Sequence, residues 1–134
     1  MPTPLSSRLK LKETSYVVTE GFSSADFLHG PIAMVEPGFP AFLFTPAGLG
    51  WPSMQEMLNR LRDLKAETVV ITDRRNPAAA NPGSRVISIP ARIPELYSPI
   101  PYIIPAQLFA AALALEKNLD PDRPRALSKV TRNL

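Results

Sequence analysis

Two short apolar runs with an amphipathic stretch between them constrain this chain most. Pro40 to Thr45 reads PAFLFT and Glu67 to Thr72 reads ETVVIT, each a continuous apolar run bounded by turn residues, as in strands covered on both faces. Between them WPSMQEMLNRLRDLK sets Met54, Met57, Leu58, Leu61 and Leu64 in the rhythm of a helix with one buried side, and Ser53 with Glu56 forms a capping-box pattern at its start. Strand, helix and strand at this spacing imply parallel neighbours joined by a right-handed crossover, because parallel strands cannot be joined by a tight turn. After the turn-rich DRRNPAAANPGS a further strand is expected at Arg85 to Ile89. The fold class is α/β with a mainly parallel sheet.

The flanks are read by the same rules. Met1 to Ser7 is a proline-bearing lead-in, and a first helix starts near Leu5 to Arg8, with Ser6 or Ser7 as N-cap, and runs to about Tyr16 or Val17. Val17 to Phe22, VVTEGF, is β-branched at its start and reads as a short edge strand. Ser23 or Ser24 caps one or two turns through Asp26 to Leu28, and Pro31 opens another turn. Pro90 to Pro105 is punctuated by proline, so the last helix is expected at Ala106 to Asn118, with Leu108, Ala111, Ala112 and Leu115 inward and Asn118 as a left-handed stop. The tail, residues 120–134, is polar and basic, and Asp120, Asp122, Arg123 and Arg125 can be read as a charged site but read better as a salt-linked tail lying on a partner.

A chain of 134 residues suits one domain, and 45% apolar with 20% charged residues is a globular mixture. The net charge of +3 is spread among acids rather than gathered into a stripe, which does not support nucleic-acid binding. The absence of cysteine excludes disulfides and thiolate metal sites, and one histidine with scattered carboxylates makes no ligand cluster, so no metal or other cofactor is expected. No signal peptide or membrane-spanning apolar run is read, and the default compartment is the cytoplasm. The single tryptophan, Trp51, is a packing residue at a helix start.

Chemistry concentrates between Arg8 and Pro31. Lys10 and Glu13 are three apart and share a helical face, and His29 follows in a segment closed by Gly30 and Pro31. By themselves such residues are a solvated helix face and a hydrogen-bonded turn. A carboxylate, an ammonium and an imidazole are also what sugar enolisation requires: one moves the proton beside the carbonyl while the others open the ring and balance charge.

LKLKETSY, EGFSSADFLHGPIAMVEPGFP and LDPDRPRALSKVT, in this order, closely resemble the second SIS (sugar isomerase) domain of the glucosamine-6-phosphate synthase and aminosugar-phosphate deaminase family, over about Leu9 to Thr131. The resemblance implies a three-layer α/β/α, flavodoxin-like domain binding a hexose 6-phosphate or aminosugar phosphate. It also implies the roles. Glu13 matches the glutamate that shuttles the proton between C1 and C2, and Lys10 the lysine that tunes it. His29 matches the histidine that helps open the ring and reaches the neighbouring subunit's site. Lys129 matches the tail lysine that contacts the open-chain sugar, forming an imine in the synthase.

Two departures from the family pattern set further expectations. MPTPLSS stands where the family has its first, central strand and a Gly-Arg-Gly turn, so that strand is expected to be missing. The Ser/Thr-rich phosphate loop of the family lies in a first SIS domain, and neither Ser23-Ser24 nor Arg74-Arg75 replaces it. The chain reads as a single partial domain that isomerises or deaminates only when a first SIS domain is supplied. A non-catalytic phosphosugar-sensing module and a dimerising remnant are the alternatives. A homodimer is expected, through the unpaired edge of VVTEGF.

Overall fold

A computed structural model describes residues 11–80 and 84–123. Lys10, Lys129 and the candidate caps Ser6 and Ser7 lie outside the described residues. Three parallel strands, β1 (Pro40–Phe44), β2 (Glu67–Asp73) and β3 (Arg85–Ile89), form one sheet in the order β1-β2-β3. The register sets Leu43 opposite Val70 and Phe44 opposite Ile71, and carries Ile71 on to Ile87. Among the described residues no strand precedes β1.

Alternation along the strands divides the core between the two faces of the sheet. Leu43 and Val70 join Met57, Leu58 and Leu61 of the helix Trp51–Asp63, together with Phe27, Val35 and Ala79. Ile71 joins Tyr102 and Ala106 of the helix Pro99–Glu116, with Phe42, Phe44, Ile87 and Ile89 packed around them. With α1 for the helical residues 11–15, α2 for Ser24–Leu28, α3 for Trp51–Asp63 and α4 for Pro99–Glu116, the layers are α3, sheet and α4. This is the expected three-layer α/β architecture.

Local chemistry sets the element ends. Ser23 Oγ accepts from the Asp26 amide at 3.1 Å and caps α2, as expected. After α3, Lys65 at φ 58° closes a Schellman turn: its amide reaches Arg62 O and the Ala66 amide reaches Leu61 O, both at 2.9 Å. The Lys65 carbonyl then accepts from Gly38, whose φ of 86° favours glycine. Asn118 at φ 55° ends α4 in the same way, as expected.

Three expectations are corrected. Val17 to Phe22 is not a strand: Val18 is 87% exposed, and β-branched residues make an extended chain a strand only where a neighbouring ladder pairs with it. Helix α3 starts at Trp51 with Gly50 as N-cap, so Ser53 lies inside the helix and forms no capping box; Pro52, in the first turn, has no amide to leave unpaired. Helix α4 starts at Pro99 rather than Ala106, again because proline is tolerated in a first turn, and it continues through Pro105. Its inward residues are Tyr102, Ala106, Ala110 and Ala114, while Leu108 and Leu115, expected inside, face out.

Candidate functional site

Helix α1 carries Glu13, which is half-buried, while its neighbours Thr14 and Ser15 are buried. Several contacts fix the end of this helix. Ser15 Oγ donates to Leu11 O at 2.8 Å, and Tyr16 turns the chain away at φ 53°. From the far end of the chain, Lys117 Nζ donates to Ser15 O at 2.8 Å. Lys117 is also the C-cap of α4, so one ammonium satisfies an orphan carbonyl of α1 and ties the two helices together. Thr14 and Pro121 line a cleft of about 230 Å³ with Gln107, Ala110 and Ala111 of α4. The chain leaving α4 therefore passes beside α1, and an Asx turn at Asp120, whose Oδ1 accepts from the Asp122 amide at 2.9 Å, sets its direction.

His29 is the exposed C-cap residue of α2, followed by the 3₁₀ turn Pro31–Met34. Phe27 seats α2 in the core on the α3 side, and Phe22 packs on Phe27 with ring centroids 5.6 Å apart. Glu13 and His29 thus stand on helices that dock through different contacts, α1 on α4 and α2 on α3. Among the described residues the imidazole of His29 makes no hydrogen bond or ion pair, so the structure does not join it to Glu13.

The carboxyl ends of parallel strands are where open α/β sheets bind ligands. Here they hold a buried polar network that the sequence reading missed. Asn76 Nδ2 donates to Thr45 O at 3.1 Å, Thr45 Oγ1 to Ile71 O at 3.0 Å, and Thr72 Oγ1 to Asn76 O at 3.0 Å. Asp73, one residue past the expected strand end, accepts from Tyr102 OH at 2.8 Å and from the Arg75 amide at 2.6 Å. Burial, and then the hydrogen bond and negative charge of Asp73, hold the Tyr102 phenol well above its ordinary range. Among the described residues every buried side-chain nitrogen and oxygen has a partner. The network ties the carboxyl ends of β1 and β2 to Asn76 and to Tyr102 of α4. Among the described residues no three His, Asp or Glu side chains cluster to hold a metal ion.

The sequence carried one signal for Lys117, a lysine beside the left-handed stop at Asn118, but nothing in it pairs positions 15 and 117. Lys117→Met keeps the length of the side chain and removes the donor. Exchange of the amides of residues 11–17 is expected to quicken about tenfold, with β2 unchanged and with recovery in Lys117→Arg, read by hydrogen–deuterium exchange. Equal protection in Lys117→Met and the parent would remove the clamp.

Residues 4–117 match the SIS domain family. Across 132 residues, 96% of this chain, it is 37% identical to the glutamine–fructose-6-phosphate aminotransferase (isomerizing) of Corynebacterium efficiens, and it is equally identical to that of Thermococcus kodakarensis. The chain spans 21% of the length of these relatives. Among solved structures, the C-terminal domain of glucosamine-fructose-6-phosphate aminotransferase from Francisella tularensis superposes with a TM-score of 0.83 at 26% identity, covering 91% of this chain and 34% of that one. Glucosamine-6-phosphate deaminase from Thermotoga maritima shares the fold, with a TM-score of 0.65 at 24% identity over 93% of this chain and 35% of that one.

Proposed function

We propose, from the premise that this chain belongs to the SIS domain family, that it is a phosphosugar-binding domain of the cytoplasm whose α1 face supplies the proton-transfer group of a site completed by a first SIS domain. The likeness over 96% of the chain to isomerising aminotransferases carries this reading. Fructose 6-phosphate, named in those relatives, and glucosamine 6-phosphate, named in the deaminase that shares the fold, are the substrate class. Glu13 moves the proton between C1 and C2, and Lys10, three residues before it in the sequence, tunes its carboxylate. His29 opens the sugar ring; its exposed, unengaged imidazole suits a residue that acts on a site in another molecule. Lys129 meets the open-chain carbonyl as a neutral amine. The Lys117 contact supports the assignment of Glu13, because a proton-transfer group must be held within hydrogen-bond reach of its carbon.

A second reading applies to the chain by itself: a binding or dimerising module without turnover, since among the described residues the cleft is lined by no cation. Deuterium incorporation into fructose 6-phosphate in D₂O, followed by NMR, separates the two. No incorporation is expected with the chain alone. With a first SIS domain of a related aminotransferase added, incorporation is expected, falling at least about 100-fold in Glu13→Gln. Turnover by the isolated chain that depends on Glu13 would overturn the need for a partner. A complemented mixture that binds the sugar phosphate without exchange would leave the binding module.

A further inference from the structure

Strands β1 and β3 lie on either side of β2, and because all three run parallel their carboxyl ends share one edge of the sheet. Adjacent strands are ~4.8 Å apart, so the loops that leave β1 and β3 start about 10 Å from one another. They nevertheless meet. Glu95, at the start of the 3₁₀ turn Glu95–Tyr97 that follows β3, accepts through Oε2 from the Leu49 amide at 3.2 Å, in the loop before α3. Glu95 is itself anchored, because its carbonyl accepts from both the amide and the hydroxyl of the buried Ser98, at 3.1 and 2.7 Å, at the entry to α4. The loop it reaches has no such anchor. Among the described residues, Pro46, Ala47, Gly48 and Leu49 take part in one other hydrogen bond, from the Trp51 amide to Gly48 O at the start of α3, and Leu49 is 96% exposed.

We propose that Glu95 is the latch of a lid: its carboxylate holds the loop of residues 46–49 shut at the carboxyl edge of the sheet, and release of that one bond lets the loop swing between Thr45 and Trp51. Gly48 is the seat of the latch. Its backbone lies outside the left-handed region, so its φ does not call for glycine, yet a Cβ there would overlap the Glu95 carboxyl group. At Gly50, two residues on, a Cβ would meet nothing. The positive end of α3 favours the carboxylate where it lies. At 3.2 Å and exposed, the bond is at the long end of the ordinary range and open to competition from water, as a contact that releases must be. The two ends of the lid are fixed. Thr45 is bound to Ile71 O through its amide at 2.9 Å and its hydroxyl at 3.0 Å, and Trp51 packs on the α3 side of the core. The lid governs access to the edge on which open α/β sheets take their ligands. Thr45 and Asn76 are buried there with the latch shut, and Thr45, which adjoins the loop, is the first to meet solvent when it lifts. The contact lies wholly within this chain and does not need the sugar-phosphate reading.

The test uses the full chain without sugar. Exchange of the Leu49 amide is read by NMR, and the half-buried Trp51, the one tryptophan and the residue at the far end of the lid, is read by acrylamide quenching. Glu95→Ala is expected to quicken exchange at Leu49 about tenfold and to raise the quenching of Trp51, with the amide of Val70 in β2 unchanged. Glu95→Gln keeps an acceptor and should retain most of the protection. Gly48→Ala is expected to act as Glu95→Ala does, because the new methyl group takes the place of the carboxylate. The deciding measurement is the double variant. With Glu95→Ala present, Gly48→Ala has nothing to displace and should leave exchange at Leu49 unchanged or slow it, alanine being the stiffer residue. Additive effects of the two substitutions, or a Leu49 amide that keeps the parent rate in Glu95→Ala, overturn the latch. A Leu49 amide that quickens while Trp51 is quenched as in the parent shows a broken bond under a still loop, and overturns the lid.

Discussion

Leu58→Ala is expected to lower the free energy of unfolding by about 3–5 kcal/mol. Leu58 is 1% exposed, in the cluster where Met57 and Leu61 of α3 meet Leu43 and Val70 of the sheet. Truncation removes the transfer free energy of the lost carbons and leaves a cavity, since the strands on one side are fixed by their ladder and cannot close in. A domain of this size has about 5–15 kcal/mol in total, so the loss takes much of the margin. Urea unfolding should show a lower midpoint with an unchanged slope. Leu64→Ala, at the C-cap of the same helix and 38% exposed, should lose under about 1 kcal/mol, and equal effects would refute the assignment of the core.

Tyr102→Phe is expected to destabilise the fold by about 1.5–3 kcal/mol near neutral pH, because the buried Asp73 carboxylate loses its phenolic donor and keeps the Arg75 amide. The pH dependence carries the stronger signature. The phenol of Tyr102 is held above its ordinary value, first by burial and then by the bond to and charge of Asp73. A raised acid favours the folded state while it keeps its proton. That stabilisation is fully present below the unfolded tyrosine value of about 10 and is lost progressively as pH rises above it. The parent should therefore lose stability from about pH 10 upward, and Tyr102→Phe should flatten that slope. Parallel alkaline slopes in the two proteins, from urea midpoints at several pH values, would show that the Tyr102 proton is not linked to folding.

The strands and α3 were legible because their patterns have a single solution. PAFLFT and ETVVIT are too short and too apolar for anything but covered strands, and the leucines of α3 fix its phase. The last helix defeated the same reasoning twice. Prolines at 99, 101 and 105 read as breakers, although the first two fall in a first turn where their missing amides are not needed. A helix apolar on all sides has no phase to read, so the row of Leu108, Ala111, Ala112 and Leu115 is expected inside where the sheet takes Tyr102, Ala106, Ala110 and Ala114. Of the candidate site, Glu13 and His29 were legible as chemistry and as a family resemblance. The Lys117 and Tyr102 contacts were not, because each joins positions far apart in the chain, and one sequence holds no record of which distant residues meet.

The two sides of α4 also answer to different constraints. At Ala106, Ala110 and Ala114 a larger side chain would push the helix off the sheet, so substitution there answers to this chain's own fold. At Ile100, Ile104, Leu108 and Leu115 the described residues ask only for a helix. Change along the alanine row would therefore be felt by the sheet beneath it, whereas the other row of the same helix could change without disturbing the strands.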